Sequence, residues 1–226
     1  MSTTCIPTPD LRQALLECAR ALAAEGLNKG TSGNVSVRLG PALDAGLLIT
    51  PTGMPPARQE VADLVWLDMA GEVLPQAGMR ARKPSSEWQI HRDIYAERPE
   101  FGAVIHTHAP FATAIACLRR EIPPFHYMIA RFGGDTVRCD EYATFGTPEL
   151  SHAALQALAG RNACLLANHG MLACGRDLEQ ALAHAVELET LCEQYWRTCQ
   201  LGQPVLLDAT EMALMQQKFT TYGQPG

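Results

Sequence analysis

The chain has 226 residues, 47% hydrophobic and 19% charged, which is a globular composition long enough to bury a core. Eighteen Lys and Arg against 24 Asp and Glu leave a formal charge of −6. That balance excludes a general nucleic-acid or anionic-membrane surface, since both need a basic face.

Met1 to Asp10 carries no basic n-region and no apolar h-region, so no secretory signal is expected. A first helix is predicted from the cap pair Thr8-Pro9, with Leu11, Ala14, Leu15, Cys18, Ala19 and Leu22 at helical spacing and Gly26 at its end. Asn28 to Asn34 is a Gly-rich turn into a strand over Val35 to Arg38. Leu47 to Thr50 reads as a second strand, ended by Pro51-Thr52-Gly53, and Asp63 to Leu67 as a third. Lys83-Pro84-Ser85-Ser86-Glu87 opens an amphipathic helix through Tyr95. Ala103 to His108 is a buried strand with histidine at its end. Helices follow from Pro110 through Leu118 and from Thr147-Pro148 through Leu158. Cys164 to Ala167 is an apolar strand running into Asn168-His169-Gly170 and then Met171 to Cys174. A long helix spans Leu178 to Cys199, and a last one Glu211 to Phe219. Interspersed helices and strands make the class α/β or α+β, and successive strands without a helix between them argue against a purely parallel sheet. There is no repeat, low-complexity tract or linker, so residues 1–226 read as one domain. The longest uncharged run, Phe101 to Leu118, holds two histidines and a proline, which argues against a membrane span. The eight cysteines form no C-x-x-C pair, and several lie in apolar stretches. Reduced thiols and a cytoplasmic location are therefore expected.

His106 and His108 flank Thr107 on a strand, where residues i and i+2 share a face. His169, at a strand-to-turn junction, offers a third imidazole from elsewhere in the sheet. Three histidines would leave an open, catalytic position on zinc or another first-row divalent ion. Taken alone, the spacing also fits hydrogen-bonded core histidines. His91 reads as an exposed helix residue, and His152 and His184 as helix-face residues without partners. His126, beside Tyr127, has no assigned role.

Three segments offer donors to an anion: Gly30-Thr31-Ser32-Gly33-Asn34, Thr50-Pro51-Thr52-Gly53, and Ser85-Ser86 at a helix N-terminus. None is a P-loop or dinucleotide fingerprint, and each alone is as readily an ordinary turn or cap. Glu87 reads as a first-turn residue. Beside a bound phosphate and metal it becomes a candidate fourth ligand, or a base for a proton alpha to a carbonyl.

Eight stretches occur together in one order: Gly26 to Arg38, Leu47 to Pro55, Lys83 to His91 (KPSSEWQIH), Ala103 to Ile115 (AVIHTHAPFATAI), Ile122 to Asp135, Tyr142 to Thr147, Leu165 to Cys174 (LLANHGMLAC) and Lys218 to Gly223. In that combination the chain resembles the class II aldolase/adducin family, and closely its L-fuculose-1-phosphate aldolase branch. The resemblance implies a three-layer α/β/α fold with a central mixed, largely antiparallel sheet. It implies a homotetramer with active sites between subunits and one Zn2+ per subunit. It carries His106, His108 and His169 over as metal ligands, and Glu87 as fourth ligand and acid/base. Thr31, Ser32, Asn34, Thr52, Gly53, Ser85 and Ser86 map to the phosphate cradle. Tyr127 matches a tyrosine reaching a neighbouring subunit's site, Tyr222 a C-terminal tyrosine, and Phe145 an aromatic on the aldehyde side. The implied reaction is reversible cleavage of a ketose 1-phosphate to dihydroxyacetone phosphate and an aldehyde such as L-lactaldehyde. Thr107, Asn168, Arg131 and Phe132 depart from the branch pattern, which leaves the aldehyde open and admits a 5-deoxy or methylthio pentulose phosphate. Within the fold, a pentulose-phosphate 4-epimerase, in which Asp is typical at position 87, is the alternative, followed by a sugar-phosphate dehydratase or decarboxylase. A non-catalytic adducin-like interaction module is the alternative outside enzymes.

Overall fold

A computed structural model describes residues 6–40 and 46–221. Helix α1 (Pro9–Ala24) starts where Thr8 Oγ1 accepts the Leu11 N–H at 3.2 Å. Strands β1 (Asn34–Arg38), β2 (Leu47–Ile49) and β3 (Val65–Leu67) follow. The third strand begins two residues later than its apolar pattern predicts, because Asp63 closes a 3-10 turn over Val61–Asp63. There its buried carboxylate accepts the Glu60 N–H and pairs with Arg80 and Arg82. Next come α2 (Trp88–Glu97), β4 (Ala103–Thr107) and α3 (Pro110–Ala116). A 3-10 stretch over Tyr127–Phe132 was not expected. The chain continues through α4 (Pro148–Ala157), β5 (Ala163–Leu166), β6 (Gly170–Gly175), α5 (Leu178–Leu201) and α6 (Ala209–Phe219).

The six strands form one sheet in the order β3-β2-β1-β4-β6-β5, with every ladder antiparallel. Among the described residues, the one parallel contact is an isolated bridge between Cys139 and Leu165. Strand alternation splits the core in two. Val35, Val37, Ala103 and Ile105 face α1, α3 and α5, packing with Leu15, Ile115 and Leu188. Val104, Leu47 and Ile49 face α2 and α4, packing with Ile90, Ile94 and Leu150. Each fully buried Leu or Ile contributes about 1.5–3 kcal/mol, so both helical layers are held by the same sheet. Phe132, one of the sequence departures, is fully buried and stands edge-on to His184. Arg131 lies 3.7 Å from Glu187.

The seven described cysteines are free thiols, and burial pushes Cys18 and Cys174 up to about 12. Among the described residues, no helix is long and apolar enough to cross a membrane.

Candidate metal and active site

The β1–β4 register places Asn34 opposite His106, and β6 sets Leu172 opposite His106 on the other side. His106 is fully buried at the end of β4, while His108 follows the strand and is exposed. Their Nε2 atoms lie 3.1 Å apart, as the i, i+2 spacing requires. His169 sits in the tight turn between β5 and β6, closed by its N–H to the Leu166 carbonyl at 3.0 Å. The residue before it, Asn168, has φ of +55°, a left-handed conformation that Asn tolerates. The residue after it is Gly170, where a Cβ would stand 2.3 Å from the Thr107 carbonyl oxygen. Glycine therefore lets the hairpin bring His169 against the other two histidines.

Glu87 is the N-cap of α2 rather than a first-turn residue, and its side chain makes no cap bond. It turns inward and is buried. Its Oε2 is 3.3 Å from His106 Nε2, and its Oε1 is 3.1 Å from His169 Nε2. Oε1 makes no hydrogen bond. Four donor atoms around a tetrahedral zinc at about 2.0–2.1 Å are separated by about 3.3 Å, the spacing seen between neighbouring donors here. His106 Nδ1 is 3.0 Å from the Met171 carbonyl oxygen, which only accepts. The proton is therefore on Nδ1, and the Nε2 lone pair faces the cluster. Burial pushes His106 down to about 4 against the opposing pull of Glu87, and burial also lowers His108. Burial pushes Glu87 up, but His106, His169 and the Asn34 amide outweigh it and hold the carboxyl below its ordinary range. Three imidazoles and a carboxylate converging on one point fit a divalent cation.

A cavity of about 340 Å³ opens on this cluster. Its lining includes Thr31, Ser32, Asn34, Thr52, Gly53, Ser85 and Ser86, so the three separated segments come together beside the N-terminus of α2. Tyr142, Ala143, Phe145 and Asn168 complete the lining. Tyr142 and Asn168 were not expected there. Arg119 joins them: its Nε donates to Asn168 Oδ1 at 2.6 Å, and its guanidinium lies 5.6 Å from the Tyr142 ring centroid.

Several expectations change. His91 is not exposed: it is fully buried, with Nδ1 2.7 Å from Ser36 Oγ and Nε2 2.5 Å from Asn34 Oδ1. His184 has a partner, its Nδ1 donating to the Cys174 carbonyl at 2.7 Å. The Asn34 side chain is engaged by His91 and by Glu87, to which its Nδ2 donates at 3.0 Å. Tyr127 lies outside the cavity, 48% exposed and stacked between His126 and Phe219. Tyr222 lies outside the described residues. The buried pair His91 and Tyr95 had a signal: they stand i, i+4 on one helix face, opposite polar Asn34 and Ser36 at i, i+2 on β1.

Residues 13–196 match the family described as class II aldolase and adducin N-terminal domain. The chain is 54% identical over 213 residues to a 5-methylthioribulose-1-phosphate/5-deoxyribulose-1-phosphate aldolase of Rhodospirillum rubrum, covering 94% of this chain and 92% of that protein. It is 42% identical over 214 residues to the L-fuculose phosphate aldolase of Escherichia coli, covering 94% and 95%. The solved structure of an L-fuculose 1-phosphate aldolase superimposes with a TM-score of 0.87 at 40% identity, covering 94% of this chain and 97% of that one. The chain belongs to the class II aldolase and adducin family. Within that family it is a metal-dependent lyase, near the fuculose-phosphate aldolases.

Proposed function

We propose that the protein uses zinc to cleave a ketose 1-phosphate reversibly into dihydroxyacetone phosphate and a short aldehyde. The observation that carries this reading is the continuity of one cavity from a hydroxyl-lined wall, past Glu87 and the histidines, to Tyr142 and Phe145. The hydroxyls of Thr31, Ser32, Thr52, Ser85 and Ser86 hold the phosphate, with Gly53 letting the turn lie close. That anchoring sets the substrate carbonyl and its neighbouring hydroxyl against His106, His108 and His169. When bound there, the metal supplies Lewis-acid polarisation of the carbonyl.

In cleavage, the C4 hydroxyl loses its proton, the C3–C4 electron pair stays on C3, and the aldehyde leaves. Glu87 then delivers a proton to C3; in condensation it removes the same proton. Tyr127 of a neighbouring copy exchanges the proton at the aldehyde oxygen, with Tyr222 closing over the site. Exposed Trp196, Leu201, Val205 and Leu206 support assembly into a homotetramer with shared sites. Each subunit is read as one domain working in the cytoplasm.

Two features favour a 5-deoxy or 5-methylthio ribulose 1-phosphate as substrate: the aromatic lining from Tyr142 and Phe145 and the 54% identity to the Rhodospirillum rubrum enzyme. L-Fuculose 1-phosphate is the second reading, supported by the 42% relative. A cleavage panel on these three sugars and ribulose 5-phosphate tests the proposal by measuring released dihydroxyacetone phosphate. The deoxy or methylthio sugar should give the highest kcat/KM. Epimerised ribulose 5-phosphate without triose release would instead identify an epimerase.

A further inference from the structure

We propose that His91 is a positioning residue for Glu87, acting through Asn34 in a one-way hydrogen-bond chain that begins at Tyr95. The proposal rests on the reading of Glu87 as acid/base. All five side chains are buried. Tyr95 Oη lies 2.7 Å from Ser36 Oγ, which lies 2.7 Å from His91 Nδ1. His91 Nε2 lies 2.5 Å from Asn34 Oδ1, and Asn34 Nδ2 lies 3.0 Å from Glu87 Oε2.

The direction of the chain follows from its inner end. An ionised carboxylate only accepts, so Asn34 must turn its NH2 towards Glu87. The Asn34 carbonyl then faces His91 and also only accepts, so His91 Nε2 carries the proton. A neutral imidazole protonated at Nε2 has a bare Nδ1, which accepts the Ser36 hydroxyl hydrogen. Ser36 Oγ in turn accepts from Tyr95. Each of the four contacts then has one donor and one acceptor, and no alternative polarity satisfies both ends. His91 is thus the opposite tautomer to the buried His106 and His184, which both donate from Nδ1 to backbone carbonyls.

The placement serves the carboxylate. Asn34 and Ser36 share one face of β1, and His91 and Tyr95 share one face of α2, whose N-cap is Glu87. The contacts that dock the helix on the strand therefore also aim its first side chain. Asn34 holds Oε2, while Oε1 keeps a lone pair free towards the cluster. The two oxygens of the base are made inequivalent.

The metal-loaded enzyme, labelled with nitrogen-15 at histidine, tests this by two-bond proton–nitrogen correlation, with His91 assigned by loss of its signals in His91→Gln. His91 should be neutral and protonated on Nε2; a proton on Nδ1 would overturn the chain. His91→Leu and His91→Gln are then compared for solvent exchange at C3 of dihydroxyacetone phosphate. The Leu variant should lose about 10- to 100-fold in kcat, the range for residues that orient metal ligands, with KM and bound metal unchanged. Gln, which can donate to Asn34, should recover part of it. Equal losses in both variants, or a loss confined to KM or metal content, would reduce His91 to a packing role. If the Leu variant does not fold, the tautomer in the unmutated enzyme decides. The two readings separate cleanly: unimpaired exchange in Glu87→Gln removes the base assignment without moving the tautomer, and an Nδ1 tautomer removes the chain while Glu87→Gln stays impaired.

Discussion

Glu87→Gln isolates the proton transfer from the packing. Glutamine has the same size and keeps an acceptor for Asn34, whose Nδ2 sits 3.0 Å from Oε2. Its amide nitrogen must then take the place of Oε1, which lies 3.1 Å from His169 Nε2. The side chain stays in position, but it has lost its basic oxygen. A positioned general base contributes about 10²–10⁴-fold, which is about 2.7–5.4 kcal/mol of activation free energy. The new N–H also points at the metal cluster, so metal affinity should fall, and the assay is run with zinc in saturating excess. The measurement is solvent deuterium exchange at C3 of dihydroxyacetone phosphate, which reports this proton without any aldehyde. Exchange should drop by at least a hundredfold with little change in KM. Exchange within about threefold of the wild type at full metal occupancy would refute the assignment.

His106→Ala removes a fully buried donor of the cluster and should abolish stoichiometric zinc, measured by elemental analysis of purified protein; retained metal would sink the site. Ser86→Ala deletes a hydroxyl from the proposed cradle and should raise KM for phosphorylated substrates about 10- to 100-fold, since a hydrogen bond to a charged group is worth about 1.5–3 kcal/mol. Arg119→Leu frees Asn168 and Tyr142, so it should lower kcat/KM for ketose cleavage and blur aldehyde selectivity; C3 exchange should be untouched, and parallel loss of both would disprove the division. His184 is buried and its pKa is lowered, chiefly by burial, against the opposing Cys174 carbonyl bond. A depressed folded pKa gives stability that is complete above the unfolded value of 6.5 and lost as pH falls below it. The urea midpoint of His184→Gln should therefore decline less between pH 7 and pH 5 than that of the wild type, and equal slopes would contradict the argument.

Most elements, and the pairing of His106 with His108, were legible in the sequence because both depend on short-range periodicity. His106 and His108 are two residues apart on a strand, and a strand's period of two makes their convergence a local fact. Helix α1 was legible for the same reason, from Thr8 to its apolar stripe. The third strand was misplaced by two residues because Asp63 looks like an ordinary strand-start residue. Its real partners, Arg80 and Arg82, lie 17 and 19 residues away. His91 was misread because helix periodicity shows which residues share a face but not what lies opposite. Only the β1–β4 register, with Asn34 beside His106, makes that face the floor of the site. Asn34 was placed in the phosphate cradle by its position in a Gly-rich turn, yet its amide is committed to Glu87 and His91.

The two halves of the cavity are built by different means. The donor set comes from a strand end, a hairpin turn and a helix N-cap, all tied to one antiparallel sheet whose core leaves little freedom. The proposed cradle offers hydroxyls and turn backbone, with no Lys or Arg among the described residues that line the cavity. A chain of charge −6 could hold a phosphate this way because the required potential is local: the α2 N-terminus and a cation on the histidines would supply it. The aromatic part of the lining is different. Tyr142, Ala143 and Phe145 lie on a segment between β4 and α4 outside the sheet, and Tyr142 and Phe145 are exposed. The contacts that steady it run through Arg119 to Asn168, two residues that both adopt positive φ. On the proposed function, changes there would alter what touches the aldehyde without straining the sheet that carries His106 and positions His169. On that reading, the departure from the fuculose pattern at Asn168 would bear on which sugar is cleaved, and would leave the chemistry assigned to Glu87 at C3 intact.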